Sequence, residues 1–475
     1  MATERKRKNR KPEKGFWSFI ENIEGDKVVW IIVFLLIMIS ILAIFSSTSL
    51  LREGSKDRMD FISEHLVITG LGLGIIFGLY NIKKIGIFRI LSQFGFILSL
   101  VLLVLLVAHV KIPGVVVAER INGAWRTLRI AGMQMHVFEV VKVAMVVYLA
   151  WAMHALKEDQ EAITRRKPNR HLRIANSLAR NRNLAFLALP FWKRMVYMYL
   201  PILIVCVLTL MGSGSSAVFI GIVLIATLLI GGAPKKEIFM AGAAGIMVLG
   251  LIIGVYKATD GKVFGKFERV ATMMTRFGAD YDAARLNDLK PMSREFYDLL
   301  DEIKQPYSAK IAVHEGGIKG KGSGNSTQKY VVSNIYGDYM FSFLIEEYGL
   351  IGGIIVIFLY VSLLARGSTI ARLCSNEYAK IAVGGLSVLI TGQAFMHMFV
   401  NVDIGPMTGQ TLPLISHGSF AFLVFCIAFG VILSISRMAR NRIREEEEAA
   451  IPIYDSSKDD IQASLDILEQ IDNEL

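Results

Sequence analysis

The stretch SNIYGDYMFSFLIEEYGLIGG, residues 333–353, places three carboxylates in an otherwise apolar run. A charged side chain at the centre of a membrane-spanning helix costs about 2.5–3.5 kcal/mol, so each acid needs a structural or functional reason to be there. Asp338 stands where a polar segment meets the run, a position that suits a general base or a cation ligand near a lipid head group. The alternative is a helix N-cap. Glu346 lies eight residues further on, roughly 12 Å along an unbroken helix, so the two acids are not expected to form a close pair.

A second candidate pair is Glu139 and Lys142, in the stretch HVFEVVKVAMVVYLAWAMHA. Their i, i+3 spacing puts both side chains on one helix face, near the outer end of a predicted membrane span. Ionisable residues inside a membrane normally face a cavity or pair with each other. The spacing therefore predicts either a polar cavity or a purely structural ion pair.

A Gly- and Lys-rich segment, KIAVHEGGIKGKGSGNSTQKY, occupies residues 310–330 and precedes Asp338. Backbone N–H groups in Gly-rich turns can cradle anions, and Lys319, Lys321 and Lys329 add positive charge. The segment is not an ATP-binding P-loop, because the residue after Lys321 is Gly rather than Ser or Thr. A phosphate site outside the membrane indicates a lipid-linked diphosphate. A flexible loop is the alternative.

The segment NVDIGPMTGQTLPLISHGS, residues 401–419, puts Gly, Pro, Thr and Ser between two apolar runs. Irregular backbone at membrane depth is tolerated where it lines a cavity. Thr408, Ser416 and His417 are candidates to face such a cavity. His417 could equally be a hydrogen-bonded histidine at the interface.

The elements that must position these residues are membrane helices. The chain has 475 residues, 53% of them hydrophobic, and a mean hydropathy of +0.48. The apolar residues fall into runs of about 18–25, long enough to cross roughly 30 Å of hydrocarbon. The formal net charge of +11 lies in blocks between these runs. This distribution favours topogenic signals that face anionic membrane lipids, and it argues against nucleic acid as a partner.

The pattern predicts an all-α polytopic membrane protein with ten transmembrane helices and a large extracytoplasmic loop between helices 7 and 8. The predicted spans are 28–48, 64–82, 86–109, 136–156, 194–211, 213–232, 237–257, 338–366, 379–402 and 412–437. With ten spans the basic connections all fall on one side, which we take as the cytoplasm, so both termini are predicted to be cytoplasmic.

The same pattern predicts five regions along the chain. They are a basic cytoplasmic arm (1–27), helices 1–7 with a basic cytoplasmic loop at 157–184 (28–257), the extracytoplasmic loop (258–337), helices 8–10 (338–437) and an acidic cytoplasmic tail (438–475). Within the extracytoplasmic loop, residues 293–305 are expected to form a helix on the membrane surface.

Four of these segments together resemble the SEDS family (shape, elongation, division and sporulation), whose best-known members are FtsW and RodA. They are QPYSAKIAVHEGGIKGKGSGNSTQ, GDYMFSFLIEEYGLIGG, PMTGQTLPLISHGS and the Glu-x-x-Lys of Glu139 and Lys142. The resemblance covers about residues 28–437. It implies a peptidoglycan glycosyltransferase in the bacterial cytoplasmic membrane that polymerises lipid II, the undecaprenyl-linked disaccharide-pentapeptide, at the outer face. It also implies a class B penicillin-binding protein as partner, together with other division or elongation proteins.

The resemblance assigns roles to individual residues. Asp338, in YGDYMF before EEYG, matches the family's essential aspartate and is the expected catalytic residue, alone or holding Mg²⁺ or Mn²⁺; no organic cofactor is expected. The expected substrate-binding residues are Arg126, Glu139, Lys142, Gln305, Lys310, Lys319, Lys321, Asn325, Ser326, Thr408 and Ser416. The expected structural residues are Glu346, Glu347, Gly349, Pro406, Gly409 and Pro413.

The chain departs from the family pattern at several motifs. HVFE stands where QPSE is usual, GAWRT keeps Arg126 but displaces a tryptophan, and MGSGSSA has Ser213 at the position of an aspartate. His397 and Asp403 replace residues that are usually Asn and Gly.

Three other functions remain open from the sequence. GKGSGNSTQ and TGQTLPLIS favour the division-type FtsW of Bacteroidetes-like bacteria, acting at the septum, over a RodA-type elongation polymerase. A lipid II flippase would also use ten spans, a central cavity and internal charges. A non-catalytic activator of the partner transpeptidase would use the basic arm and the acidic tail as contact surfaces.

Overall fold

The computed structural model describes residues 24–450, apart from 49–57, 113–115, 122–123, 131–132, 165–171, 173–175, 177–184, 187, 260–287, 333–334 and 406–407. Contacts divide the chain into two units, Asp26–Ser436 and a second unit of Met1–Gly25 with Arg437–Leu475. In the second unit, the Asn441 side chain donates a hydrogen bond to Glu24 at 2.8 Å. Every residue of the candidate site lies in the first unit.

The described residues are mostly helical. The helices are α1 Lys27–Ser47, α2 Arg58–Tyr80, α3 Ile85–Val107, α4 Val137–Thr164, α5 Pro190–Arg194, α6 Leu200–Gly212, α7 Gly214–Ile230, α8 Lys235–Ala258, α9 Arg294–Gly316, α10 Met340–Leu373, α11 Glu377–Asn401 and α12 Ser419–Ala450. A π-helical turn, Met195–Tyr199, joins α5 to α6, and Gln328–Tyr330 forms a short 3₁₀ turn.

Every predicted span overlaps a helix. Within the described residues, eight helical segments are long and apolar enough to cross a membrane, and α7 is a shorter apolar helix. The predicted membrane-helix architecture is thus confirmed, while the count of ten stays a prediction. The last predicted span differs most at its start, because α12 begins at Ser419 rather than at 412. The expected helix at 293–305 is present as the first half of α9, which Ser293 caps by accepting a hydrogen bond from Phe296 N at 3.1 Å.

Helices α1 and α10 run antiparallel and are joined by polar contacts at both ends. At one end the buried Asp26 carboxylate caps α1 and forms an ion pair with Arg366. At the other end the Ser46 hydroxyl donates to Glu347 Oε1 at 2.6 Å. About 20 residues separate these contacts along each helix, or roughly 30 Å, the thickness of the hydrocarbon core. Glu347 therefore lies near one membrane boundary, the outer one in the predicted topology.

A four-stranded antiparallel sheet fills the segment between α3 and α4, in the order β1-β2-β3-β4. Its strands are β1 Lys111–Ile112, β2 Val116–Ile121, β3 Ala124–Ile130 and β4 Met133–His136. The strands β2 and β3 pair over most of their length, from Val116 opposite Ile130 to Ile121 opposite Ala124, and the register shifts between Glu119 and Arg120. The all-α prediction did not include this sheet. It matters for the site because β3 carries Arg126.

Helix α10 is broken at Gly349, which has φ 70° and ψ −174°. A break frees backbone groups that would be costly to leave unpaired at membrane depth. Here the loop after α9 satisfies them: Lys321 N donates to Glu346 O and Gly322 N to Glu347 O, each at 2.9 Å. Amides after the break donate back to carbonyls of the same loop. The predicted structural role of Gly349 thus takes the form of a backbone junction between α10 and this loop.

Substituting Gly349 with Ala should lower the stability of the purified protein. The added Cβ would lie 2.2 Å from Ile318 O, on a backbone with a φ that L side chains rarely adopt. The strained backbone alone costs about 1–3 kcal/mol. We expect a clearly lower melting temperature in detergent. Gly250→Ala in α8 is the control, because its Cβ would meet nothing within 4 Å and Ala favours a helix. Equal melting temperatures for the two variants would contradict this account.

Candidate functional site

The buried Lys142 ammonium group is the centre of a polar network inside the helix bundle. Its Nζ donates hydrogen bonds to Glu139 Oε1 at 2.6 Å, Gln393 Oε1 at 2.5 Å and Gln410 Oε1 at 2.9 Å. An ammonium group has three N–H donors, so these acceptors occupy all of them. The ion pair, one of the two alternatives predicted from the spacing, is present, and it lies among further polar side chains. The three acceptors lie on α4, on α11 and in the segment before α12.

The network continues from the two glutamines. Gln410 Nε2 donates to Ser216 Oγ at 3.1 Å, which ties the network to the start of α7. Gln393 Nε2 donates to the carbonyl of Thr411 at 3.1 Å. The non-helical residues 408–418 thus lie among the helices, as predicted for a re-entrant segment, and neighbouring side chains bond to several of their polar groups.

The backbone that carries Asp338 is held by a set of hydrogen bonds, here called the backbone clamp. Asn401 Nδ2 donates to Asp338 O at 3.0 Å, Ser416 Oγ donates to Gly337 O at 2.8 Å, and His417 N donates to Tyr336 O at 2.8 Å. Three consecutive carbonyls are therefore fixed from α11 and from the re-entrant segment.

The clamp extends into the first turn of α10. Asn401 Oδ1 accepts hydrogen bonds from both the backbone N and the hydroxyl of Ser342, at 2.9 and 3.0 Å. His397 Nε2 accepts from Phe341 N at 3.4 Å, and its Nδ1 lies 2.7 Å from Gln410 O. Since a carbonyl only accepts, the histidine proton belongs on Nδ1. His397, one of the departures from the family pattern, thus joins α10 to the re-entrant segment.

The half-buried side chain of Asp338 shares its surroundings with Arg126. A Cβ built on Gly409 would lie 3.6 Å from Arg126 Nη1 and 3.8 Å from Asp338 Oδ2, so both groups approach this glycine, which has φ +61°. Burial raises the pKa of Asp338, and the Arg126 guanidinium opposes the rise. A carboxyl with a raised pKa beside a fixed cation suits proton transfer.

The same surroundings reach His136 on β4. Desolvation lowers the pKa of His136. The negative charge of Glu139 opposes this change, while the positive charges of Arg126 and Lys142 lower the pKa further. The Asp338 side chain, Arg126 and the Lys142 network therefore belong to one electrostatic environment at the end of α4 where the sheet meets the bundle.

The predicted anion-binding loop is bound to two carboxylates of its own chain. The fully buried Glu346 accepts from Lys321 Nζ at 2.9 Å, from Ser326 Oγ at 2.5 Å and from Thr327 N at 2.7 Å. Glu347 accepts from Gly324 N at 2.9 Å. The predicted structural roles of both glutamates correspond to these contacts. They also explain why two acids lie in this apolar run, since both oxygens of Glu346 and one oxygen of Glu347 accept hydrogen bonds.

The structure separates the predicted substrate-binding residues into groups. Glu139 and Lys142 belong to the polar network and Ser416 to the backbone clamp, while Arg126 lies beside Asp338 and the Thr408 carbonyl accepts a hydrogen bond from Ser215 at 3.4 Å. Those in the loop bound to Glu346 and Glu347 are Lys321, Asn325 and Ser326. The remaining ones lie on or after α9: Lys310, Lys319 and Gln305. Lys310 pairs with Asp403 at 2.5 Å, Lys319 is exposed, and Gln305 is half-buried. Substrate binding by all of them stays a prediction.

Two predicted structural prolines have different outcomes. The carbonyl of Pro413 accepts a hydrogen bond from the Tyr360 hydroxyl at 2.5 Å, which fixes the re-entrant segment to α10. Pro406 lies outside the described residues.

Four residues of the site were not singled out from the sequence for these roles: Gln393, Asn401, Gln410 and Ser216. The available signal was a polar amide inside an apolar run, which marks an intramembrane partner. Most of the partners that connect them to other elements lie far away along the chain, for example 59 positions between Ser342 and Asn401 and 251 between Lys142 and Gln393, so no local spacing identifies them.

The described residues contain no group of three or more His, Cys, Asp and Glu side chains arranged to hold a metal ion. Mg²⁺ is commonly bound by one or two carboxylates together with substrate phosphates and water. Asp338 could supply one such ligand, and the other ligands would come from outside these side chains. The predicted cation requirement stays a prediction.

Residues 26–441 match the FTSW_RODA_SPOVE family, described as cell cycle protein. The "Probable peptidoglycan glycosyltransferase FtsW" of Methylomonas methanica is 30% identical over 346 residues, which are 72% of this chain and 74% of that protein. The "Peptidoglycan glycosyltransferase MrdB" of Escherichia coli strain K12 is 35% identical over 150 residues, 29% of this chain. That match spans only 40% of the Escherichia coli protein.

Two solved structures have a similar fold. One is a chain from the structure described as "Structural coordination of polymerization and crosslinking by a peptidoglycan synthase complex". It aligns with a TM-score of 0.54 at 19% identity, and the alignment covers 87% of this chain and 98% of that one. The rod shape determining protein RodA of Thermus thermophilus aligns with a TM-score of 0.51 at 18% identity, covering 88% of this chain and 98% of that one. At these identities the likeness concerns the fold.

Replacing Lys142 with Met should destabilise the protein strongly. The change leaves the Glu139 carboxylate without its cation and the oxygens of two glutamines without their donor. Removing one partner of a buried ion pair typically costs about 3–5 kcal/mol. We expect a large drop in melting temperature, with part of it recovered in Glu139→Gln/Lys142→Met. The exposed Lys84→Met serves as control. A Lys142→Met protein as stable as this control would show that the network contributes nothing to stability.

Proposed function

This chain belongs to the FTSW_RODA_SPOVE family of cell cycle proteins, and from that premise we propose that it is a peptidoglycan glycosyltransferase with Asp338 as its catalytic base. Its substrate is lipid II, and its product is a glycan strand lengthened at the outer face of the cytoplasmic membrane. The observation that carries the proposal is the Asp338 carboxyl, held by its clamped backbone beside the guanidinium of Arg126. Relatives named as peptidoglycan glycosyltransferases support it.

In the proposed reaction, the 4-hydroxyl of the acceptor sugar attacks the anomeric carbon of the donor. A new carbon–oxygen bond forms there while the bond from that carbon to the diphosphate oxygen breaks. Asp338 accepts the hydroxyl proton, and undecaprenyl diphosphate leaves with the electron pair of the broken bond. A raised pKa makes Asp338 a stronger base than an ordinary carboxylate, which supports this assignment.

Arg126 is the cation best placed to face the leaving diphosphate. Its guanidinium lies beside Asp338, and a planar fork of donors suits phosphate oxygens. Lys142 has a different role in this proposal. All three of its N–H groups already donate to protein acceptors, so it fixes α4 and α11 relative to the re-entrant segment, and Asn401 and Ser416 of these elements hold the backbone at Asp338. A divalent cation would add one more positive charge at the diphosphate when bound.

The partner and the place of action are further parts of the proposal. The similar chain in the solved peptidoglycan synthase complex supports a class B penicillin-binding protein as the crosslinking partner. The apolar helices support a multi-pass protein of the bacterial cytoplasmic membrane with both termini inside. We favour a division-type role at the septum. The elongation role stays the alternative, since relatives named FtsW and MrdB are both similar to this chain.

The Asp338→Asn protein should form no glycan strands. The purified chain with its class B penicillin-binding protein, lipid II and Mg²⁺ or Mn²⁺ would be assayed for glycan ladders on a gel. Asn keeps the shape of the side chain but accepts no proton, so the loss should exceed about a hundredfold. Asp288→Asn is the matched control, an exposed aspartate in the predicted extracytoplasmic loop, and should keep its activity. Ladders from Asp338→Asn would remove Asp338 from catalysis. Absence of ladders from the wild type, with lipid II still crossing vesicle membranes, would favour the flippase.

As the pH is lowered, the polymerisation rate should begin to fall at a higher pH than it would with an ordinary carboxylate as the base. The base acts when deprotonated, and burial raises the pKa of Asp338, so the rate falls as pH drops through that raised value. Removing the positive charge in Arg126→Gln should raise the pKa of Asp338 further and move the acid limb to higher pH. Single-turnover rates across pH measure this shift. An unchanged acid limb in Arg126→Gln would contradict the electrostatic coupling.

A further inference from the structure

A cavity of about 470 Å³ lies at the other end of the helix bundle from Asp338. Helix α4, the α5–α6 region, the turn between α7 and α8, and the start of α11 enclose it. Lys157 on its rim is twenty residues after Val137, the first residue of α4. Twenty residues of helix span roughly 30 Å, so the cavity opens about one hydrocarbon thickness away from the outer site. In the predicted topology this is the cytoplasmic boundary.

The rim of this cavity carries an excess of positive charge. Lys157, Arg194 and Lys380 line it together with a single carboxylate, Glu377. Lys157 pairs with Glu377 at 2.5 Å. Arg194 has a bidentate partner outside the lining, Glu237, at 2.9 and 2.6 Å.

Lys380 belongs to neither of these ion pairs. Within the described part of the chain, it has no carboxylate within ion-pair distance, and its side chain is half-buried at the cavity. A half-buried ammonium group in a concave, positively charged rim favours an anionic ligand. The existing pairs hold the other two cations in place around it, because each is fixed by a short hydrogen bond.

The floor of the cavity is apolar, in contrast to the rim. Its apolar lining includes Met153, Met198 and Ile381, which are buried, and Ile230, which is half-buried. Gly231 keeps space for Met153, since a Cβ on this glycine would lie 2.2 Å from the Met153 Cε atom. A ligand that matches both parts has an anionic head and an apolar body. At the level of the inner leaflet, the molecules with that chemistry are acidic phospholipids.

We infer that this cavity, here called the inner cavity, binds the phosphate head group of an acidic phospholipid from the cytoplasmic leaflet. The phosphate lies against Lys380 and Lys157, and the glycerol end of the lipid covers Met153 and Ile230. The inference is independent of the glycosyltransferase proposal, because no residue of the inner cavity belongs to the network or clamp around Asp338.

Native mass spectrometry of the purified protein tests this directly. The protein in detergent would be titrated with phosphatidylglycerol, which is anionic, and with phosphatidylcholine, which carries no net charge. The wild type should retain phosphatidylglycerol in preference to phosphatidylcholine. Lys380→Gln should retain about fivefold less of it, the loss typical of one lysine at an anionic surface. Lys380→Arg keeps the charge and should retain it like the wild type.

Lys84→Gln is the matched control, because it removes the same charge from an exposed lysine on the predicted cytoplasmic side, outside the inner cavity. Its retention should equal that of the wild type. Equal loss in Lys84→Gln and Lys380→Gln, or no loss in either, would overturn the inference. A third arm adds inorganic phosphate: displacement of the bound lipid by phosphate at equal concentration would assign the inner cavity to a soluble phosphate compound and overturn the lipid occupant. Melting temperatures of all variants confirm that they fold.

Discussion

A lysine ammonium group inside an apolar helix bundle must have every N–H satisfied, and much of the site follows from how this chain meets that requirement. Lys142 has acceptors on its own helix, on α11 and in the re-entrant segment. These hydrogen bonds therefore hold the three elements in the observed arrangement. Desolvating a charge without such partners costs several kcal/mol, so the network selects this packing over others.

The position of Asp338 depends on the same arrangement. The residues that clamp its backbone, Asn401 and Ser416, belong to the two elements that Lys142 holds together. His397 adds a direct connection between α10 and the re-entrant segment. Catalytic groups act well when their supporting residues are themselves fixed by hydrogen bonds, and here the support is mostly to backbone. The side chain of Asp338 is left to interact with Arg126 and with a substrate.

Regular helix is interrupted in two places, and at each of them neighbouring groups bond to the backbone of the interruption. At Gly349 the loop after α9 pairs with the broken turn of α10, and Glu346 and Glu347 hold that loop through its hydroxyl, ammonium and amide groups. In the re-entrant segment, the side chains of Tyr360 on α10, Gln393 on α11 and Ser215 on α7 donate to backbone carbonyls. Both interruptions lie beside residues that face the predicted outer surface, which is where a membrane enzyme needs irregular backbone to shape a cavity.

Much of this could be predicted from the sequence, and the remainder could not for definite reasons. Apolar runs located the helices, and the placement of Asp338 and the i, i+3 spacing of Glu139 and Lys142 located the site. The sheet was missed because its strands are short and lie between much stronger helical signals, although it carries Arg126. The glutamine partners of Lys142 were missed because they come from distant parts of the chain.

The Gly- and Lys-rich loop shows a further limit of sequence reasoning. Its composition indicates an anion site, and it does bind carboxylates, but those of Glu346 and Glu347 from the same chain. Composition identifies which chemistry a loop prefers. It does not identify the partner, which depends on how the helix break at Gly349 brings the loop and the two acids together.

The most direct test of the central claim is a structure of the Asp338→Asn protein with lipid II bound. The account predicts that the 4-hydroxyl of the acceptor sugar lies within hydrogen-bond reach of residue 338, roughly 2.6–3.2 Å, with the donor diphosphate against Arg126. A sugar held instead at the loop bound to Glu346 and Glu347, with the side chain of residue 338 facing no substrate atom, would contradict it.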